Sequence, residues 1–211
     1  MPDSARAGIL RSLRAANRDV APSSLLDPTA AVIASAMEDF ARRFLDFATV
    51  GGELHGSLSH VASLDEAADR LREIVGAIEP VAVGRTAWAQ GLARALGVAD
   101  AEDVPSDAVH TALLECRVLV GELGSVLVDL ADLREPSAAF LASVQILIAT
   151  PGRLADSLAG ALVEAANLGS PHALLISGPS RTADVEKTLV CPAHGPRETH
   201  LVIVDETDRC Q

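Results

Sequence analysis

The residue pattern predicts an α/β protein, with a mostly parallel sheet flanked by helices and an N-terminal helical extension. Three observations carry that expectation. Short apolar runs such as Val81–Val83, Val144–Ala149 and residues 200–204 lack the polar alternation of a half-exposed strand. Helical patterns alternate with those runs, as crossover connections between parallel strands require. Strands covered on both faces read as continuous apolar segments, which is the mark of a parallel sheet between helical layers.

The elements follow in chain order. Residues 5–17 form a first helical candidate. A longer helix is expected after Asp27-Pro28, where Asp can cap and Pro suits the first helical position. Its residues Val32, Ile33, Ala36, Met37, Phe40, Phe44 and Phe47 recur every three or four positions and make one buried stripe. Gly51-Gly52 ends it, and residues 54–60 alternate like a strand. Ser63 and Glu66 have capping-box spacing, opening a helix expected to run through Ile78. Val81–Val83 precedes a helix over residues 86–96, and an acidic loop spans residues 100–107. Residues 118–120 and Ser125–Asp129 read as two strands joined by a Gly121–Gly124 turn. Val144–Ala149 runs into Thr150-Pro151, a start signal for a helix to about Leu168. Residues 172–176 form another strand, a helix is expected near residues 182–190, and residues 200–204 make the last strand. Val81–Val83, Val144–Ile148 and Leu174–Ile176 are expected at the centre of the sheet. Residues 1–50 read as the helical extension and 51–211 as the α/β domain.

Composition narrows the function. Of the 211 residues, 49% are hydrophobic and 22% charged, a globular balance. Aromatics are only 2%, so the core must be Ala, Leu, Val and Ile, and no platform exists for stacking unpaired bases. A net charge of −12 repels phosphate backbones and anionic lipid, which argues against nucleic acid and membrane partners. The Arg-rich start (Arg6, Arg11, Arg14, Arg18) lacks the apolar run of a signal peptide. It reads as a helix or arm docking on the same or a neighbouring subunit, which leaves homo-oligomerisation open. The uncharged run 136–152 is too short and too polar to span a bilayer. Three cysteines, Cys116, Cys191 and Cys210, without CxxC spacing suit a reducing, cytoplasmic compartment.

Chemistry-bearing residues concentrate near the C-terminus. Residues 176–186 read ISGPSRTADVE, followed by AHGPRE at 193–198 and HLVIVD at 200–205. A strand, a Gly-Pro turn and a helix start would present unpaired N–H groups, with Gly178, Ser180, Arg181 and Thr182 suited to a carboxylate or phosphate. The plainer reading makes Ser180 or Thr182 a helix cap, with Asp184 and Glu186 complementing the dipole. His194 and Arg197 sit on a Gly-Pro loop that could reach the same ligand, or simply turn the chain. Both turns are expected at the carboxyl ends of neighbouring strands, where open α/β sheets bind ligands. Cys191, His194 and His200 lack a fourth partner for a closed zinc site, so no metal is expected. Gly84-Arg85-Thr86 is a second strand-to-helix turn, either anion-binding or a cap. Trp88 reads as core.

The segment 176–205 resembles the C-terminal signature of the LUD-domain family of lactate-utilisation proteins, especially the protein C branch. Gly121-Glu122-Leu123-Gly124-Ser125 is similar to an earlier turn of that family. The resemblance implies a fold like the ribose-phosphate isomerase, glucosamine-phosphate deaminase and CoA-transferase group. It implies an accessory role in oxidising L-lactate to pyruvate beside iron–sulfur subunits. The clusters would sit in those partners, because about four Cys ligands are normally needed and this chain has three; the chain itself is expected to carry no cofactor. A CoA-transferase likeness would make Glu122 a nucleophile, against its reading as a solvated turn carboxylate. The alternative function is a stand-alone transferase or isomerase on a small acyl or phosphorylated substrate.

Overall fold

The computed structural model describes residues 30–170, 172–179, 182–183, 189–190 and 195–205. The expected helix over residues 5–17 and the basic arm lie outside them. The chain runs through α1 (Ala30–Ala48), a tight hairpin of β1 (Thr49–Val50) and β2 (Glu53–Leu54), then β3 (Gly56–Val61) and α2 (Leu64–Ile74). It continues with β4 (Val81–Val83), α3 (Ala87–Leu96), β5 (Thr111–Val120), β6 (Ser125–Asp129), α4 (Ala138–Leu141) and β7 (Val144–Ala149). β8 (Leu154–Ala155), α5 (Leu158–Leu168), β9 (Ala173–Ile176), the pair β10 (Thr182–Ala183) and β11 (Leu189–Val190), and β12 (Glu198–Val204) complete it.

The main sheet has eight strands in the order β3-β12-β7-β5-β6-β9, with β4 and β8 also on β5. Pairing is parallel from β3 through β12 and β7 to β5, and β4 and β8 join β5 in parallel too. β6 and β9 add antiparallel. Side chains alternate across this slab. Leu201 and Ile203 enter a core with Leu114, Leu147, Phe40 and Phe44 beneath α1. Val202 and Val204 enter a second core with Ile146, Ile148, Leu71 and Leu92 beneath α2 and α3. Two-sided burial explains why β12 and β7 read as unbroken apolar runs.

Several local expectations need correction. Among the described residues β9 is not central: its one strand partner is β6, antiparallel, while β4 pairs with β5 and meets Asp100 through a single bridge at Val81. β5 begins at Thr111, well before the apolar triplet 118–120, because Glu115 and Arg117 interrupt an otherwise buried ten-residue strand. Thr150-Pro151 opens a short 3-10 turn, Pro151–Arg153, and then β8; α5 starts only after Ser157, whose hydroxyl accepts from Gly160 N at 3.3 Å. α2 stops at Ile74. Its capping box is offset by one residue, Ser63 accepting from Glu66 N at 3.2 Å while Glu66 Oε2 accepts from Ala62 N at 2.9 Å. Residues 182–183 pair with 189–190 as antiparallel strands, which excludes a continuous helix over 182–190.

α1 packs on the sheet as the stripe predicts, with Phe40 and Phe44 fully buried and their rings 6.1 Å apart. It also presses on the β5–β6 turn. Gly124 has φ +65°, and a Cβ there would strike Arg43 Cβ and come within 2.6 Å of Phe44 N. Gly169, at φ +64°, has open space around it. Gly124→Ala is therefore expected to cost roughly 3 kcal/mol, combining left-handed strain with a backbone collision. Gly169→Ala should cost only about 1 kcal/mol. Equilibrium denaturation of the two variants measures the difference.

Candidate functional site

The carboxyl ends of β4, β5 and β7 meet at a buried ionic cluster. β5 shifts register between Cys116 and Val118, and the residue left over is Arg117. Such a bulge bends the strand and re-aims one side chain. Arg117 Nη2 lies 2.7 Å from both carboxylate oxygens of Asp132, in the 3-10 turn (Leu130–Asp132) after β6. Glu115, 5% exposed, lies 3.5 Å from Arg153 Nη2 and 4.0 Å from Arg117 Nη1 through Oε1. Asp129 accepts from Ser170 Oγ at 2.6 Å and from Ala131 N at 2.9 Å. Arg85 N donates to Asp132 O at 2.9 Å, which ties the start of α3 to the same place.

Burial raises Asp132 above the ordinary carboxylate range, the Arg117 charge pulls it back down, and the Asp129 and Glu115 carboxylates push it up again. Between these residues Cys116 is fully buried, and burial, with Glu115 beside it, drives its thiol upward. A protonated thiol in a closed core is neither nucleophile nor metal ligand. Among the described residues no group of three or more His, Cys, Asp or Glu is placed to hold a metal ion. Arg153 is exposed and only loosely paired, which leaves it able to turn toward an incoming anion.

The residues singled out from the sequence are distributed differently. Gly178 has φ +86°, and a Cβ there would lie 2.9 Å from Phe47 O in the last turn of α1. Ser177 Oγ lies 2.6 Å from Ser125 Oγ, so the start of this motif meets the end of the Gly121–Ser125 turn. Thr182 lies on a strand rather than at a helix start, which removes the helix N-terminus from the anion argument. Ser180, Arg181, Cys191 and His194 fall outside the described residues. Glu122 is exposed, and its Oε1 accepts from Leu158 N at 2.7 Å, capping α5. Thr86 caps α3 through Ala89 N at 3.3 Å, and Trp88 packs against the second core.

Arg197 precedes β12 and therefore stands at the amino end of a parallel strand, not the carboxyl end. Its N–H donates to Ser143 O at 2.7 Å, and Glu198 N donates to the same oxygen at 3.2 Å. Both residues line a cavity of about 280 Å³ together with Val75, His110, Ser143 and Val144. Behind it His200, 4% exposed, pairs in register with Ser57. Its Nδ1 is 2.9 Å from Ser57 Oγ and its Nε2 is 3.1 Å from Glu198 Oε2. Burial lowers His200 below the ordinary imidazole value, and Glu198 only partly opposes this. The neutral ring then donates from Nε2 to the Glu198 carboxylate and accepts the Ser57 hydroxyl at Nδ1. Sequence reasoning missed Glu115, Arg117, Asp132 and Arg153, whose one linear signal is a charged pair interrupting an apolar strand. It missed Glu198 too, and treated His200 only as a metal candidate.

A mostly parallel sheet between helical layers, with ionisable groups gathered at both strand ends, defines an α/β domain. Residues 106–204 match the LUD domain. Over that segment, a little under half of its length, the chain is similar to the LUD-domain family. No curated protein matches it. Among solved structures it is similar to a DUF162 family protein from Deinococcus radiodurans, with a TM-score of 0.58 and 20% identity over 84% of this chain and 99% of that one. That likeness shows the shared fold.

The ionic cluster makes a testable statement about pH. Arg117→Ala leaves Asp132 half-buried without its cation and should cost about 3 kcal/mol at neutral pH. Asp132 already has a raised pKa in the fold, so its ionised form opposes folding, and removing Arg117 strengthens that opposition. The sign is therefore fixed: the loss should shrink as pH falls into the carboxylate range and Asp132 takes a proton. Denaturant midpoints of wild type and variant at neutral and acid pH check it.

Proposed function

We propose that this chain serves lactate utilisation as an accessory subunit of an L-lactate-oxidising complex, akin to the protein C branch, with a small-anion site of its own. The observation that carries this reading is the LUD-domain match over residues 106–204, which takes in β5 to β12 and so most of the sheet. Oxidising lactate to pyruvate releases two electrons and two protons, and the electrons need an acceptor. An iron–sulfur cluster normally takes about four cysteine ligands. This chain has three cysteines, and Cys116 is sealed in the core, so its donor set does not fit a cluster. In this reading the acceptors belong to partner subunits in the cytoplasm. A second reading, a transferase or isomerase for a small acyl or phosphorylated substrate, draws on Glu115 and Arg153 at the carboxyl ends, the usual place for chemistry in an open α/β sheet.

Deleting the gene should abolish growth on L-lactate and spare growth on pyruvate, in a cell with no second lactate dehydrogenase. In complementation, Arg197→Ala should grow more slowly on lactate than Glu122→Ala, whose role is a helix cap. Normal lactate growth of the deletion strain overturns the accessory role. Full function in Arg197→Ala with complete loss in Glu115→Gln promotes the transferase reading.

A further inference from the structure

We infer that the cavity at the amino ends of β5, β7 and β12 binds a small carboxylate bearing a hydrogen-bond donor on the neighbouring carbon, the chemistry shared by 2-hydroxy and 2-amino acids. The inference rests on the small-anion part of the functional reading and adds a place and a ligand class. Three features of the cavity select that class.

The first is a paired cation and acceptor. Arg197 is exposed on the cavity wall, and among the described residues its guanidinium forms no ion pair. A planar guanidinium takes a carboxylate through two parallel N–H bonds. Next to it, Glu198 holds one oxygen on His200 Nε2 at 3.1 Å and leaves Oε1 without a partner among the described residues. A buried histidine fixed by Ser57 on its far side holds that carboxylate in one orientation. Glu198 therefore asks for a donor, a hydroxyl or an ammonium, while its charge repels phosphates and dicarboxylates. The second feature is an apolar wall: Val75 and Val144, 3% and 5% exposed, suit a short alkyl group rather than another charge. The third is size. At about 280 Å³ the cavity has room for a small ligand. Its floor is set in advance, because the backbone N–H groups of Arg197 and Glu198 are both fixed to Ser143 O.

The test is titration of the purified full chain with L-lactate, L-alanine and propionate, followed by calorimetry and ligand-observed NMR. Saturable binding of L-lactate or L-alanine, at least tenfold tighter than propionate, is expected; which of the two binds better tells whether the donor is a hydroxyl or an ammonium. Arg197→Ala should weaken binding at least tenfold, and Arg197→Lys less. Glu198→Gln should narrow the preference over propionate while leaving the thermal unfolding midpoint close to wild type. Equal binding of propionate, no saturable binding, or an unchanged affinity in Arg197→Ala overturns the inference. The outcome is separable from the growth experiment. A chain that binds nothing can still be needed for growth on lactate, and a chain that binds lactate can prove dispensable.

Discussion

The architecture depends on one strand being shared. β5 pairs through Thr111–Leu113 with β4 on one edge and β7 on the other, then through residues 116–120 with β6 and β8. A flat strand could not serve both neighbourhoods, because a sheet of this width must twist to keep both faces packed. The bulge at Arg117 supplies the extra turn, and the Arg117–Asp132 pair holds it. An arginine expelled from a ladder into a core would be costly alone. Bound to Asp132 through two 2.7 Å contacts, it becomes the brace between the parallel half of the sheet and the antiparallel half.

This brace separates two polar regions. At the carboxyl ends charges of both signs pair with one another, and Arg153 and Arg85 stay exposed. At the amino ends, a neutral histidine lies between a serine and a glutamate, and the exposed cation is Arg197. The first arrangement fits a structural tie beside a reactive-looking carboxylate; the second fits recognition. The two are carried by opposite ends of the same strands, β5 and β7.

Much of this order was legible in the chain. Continuous apolar runs gave the parallel sheet, the Phe stripe gave α1, and Ser63 and Thr86 marked helix starts that the structure keeps. What escaped has a common cause. β5 was read as three residues because its two charges look like loop residues until their partners, 15 and 38 positions away, are known. The Thr150-Pro151 start signal is sound locally, yet the chain is drawn instead into β8 by pairing with Leu119 and Val120. Glu122 looked chemical because a carboxylate flanked by glycines is unusual, and only the fold shows the Leu158 N–H it was placed to meet. His200 and Ser57, 143 positions apart, become neighbours through parallel register, which no local pattern encodes.

That last separation bears on how the molecule is made. β3 is held in the sheet by β12 alone, its one strand partner among the described residues. On a ribosome adding about 5–20 residues each second, β3 is synthesised on the order of ten seconds before the strand that receives it. During that interval α1, β3 and α2 lack the part of the two cores that Leu201 to Val204 supply. The nascent chain thus carries β3 unpaired and a half-clothed aromatic stripe until β12 arrives. Insertion of β3 into the sheet therefore waits on the synthesis of β12.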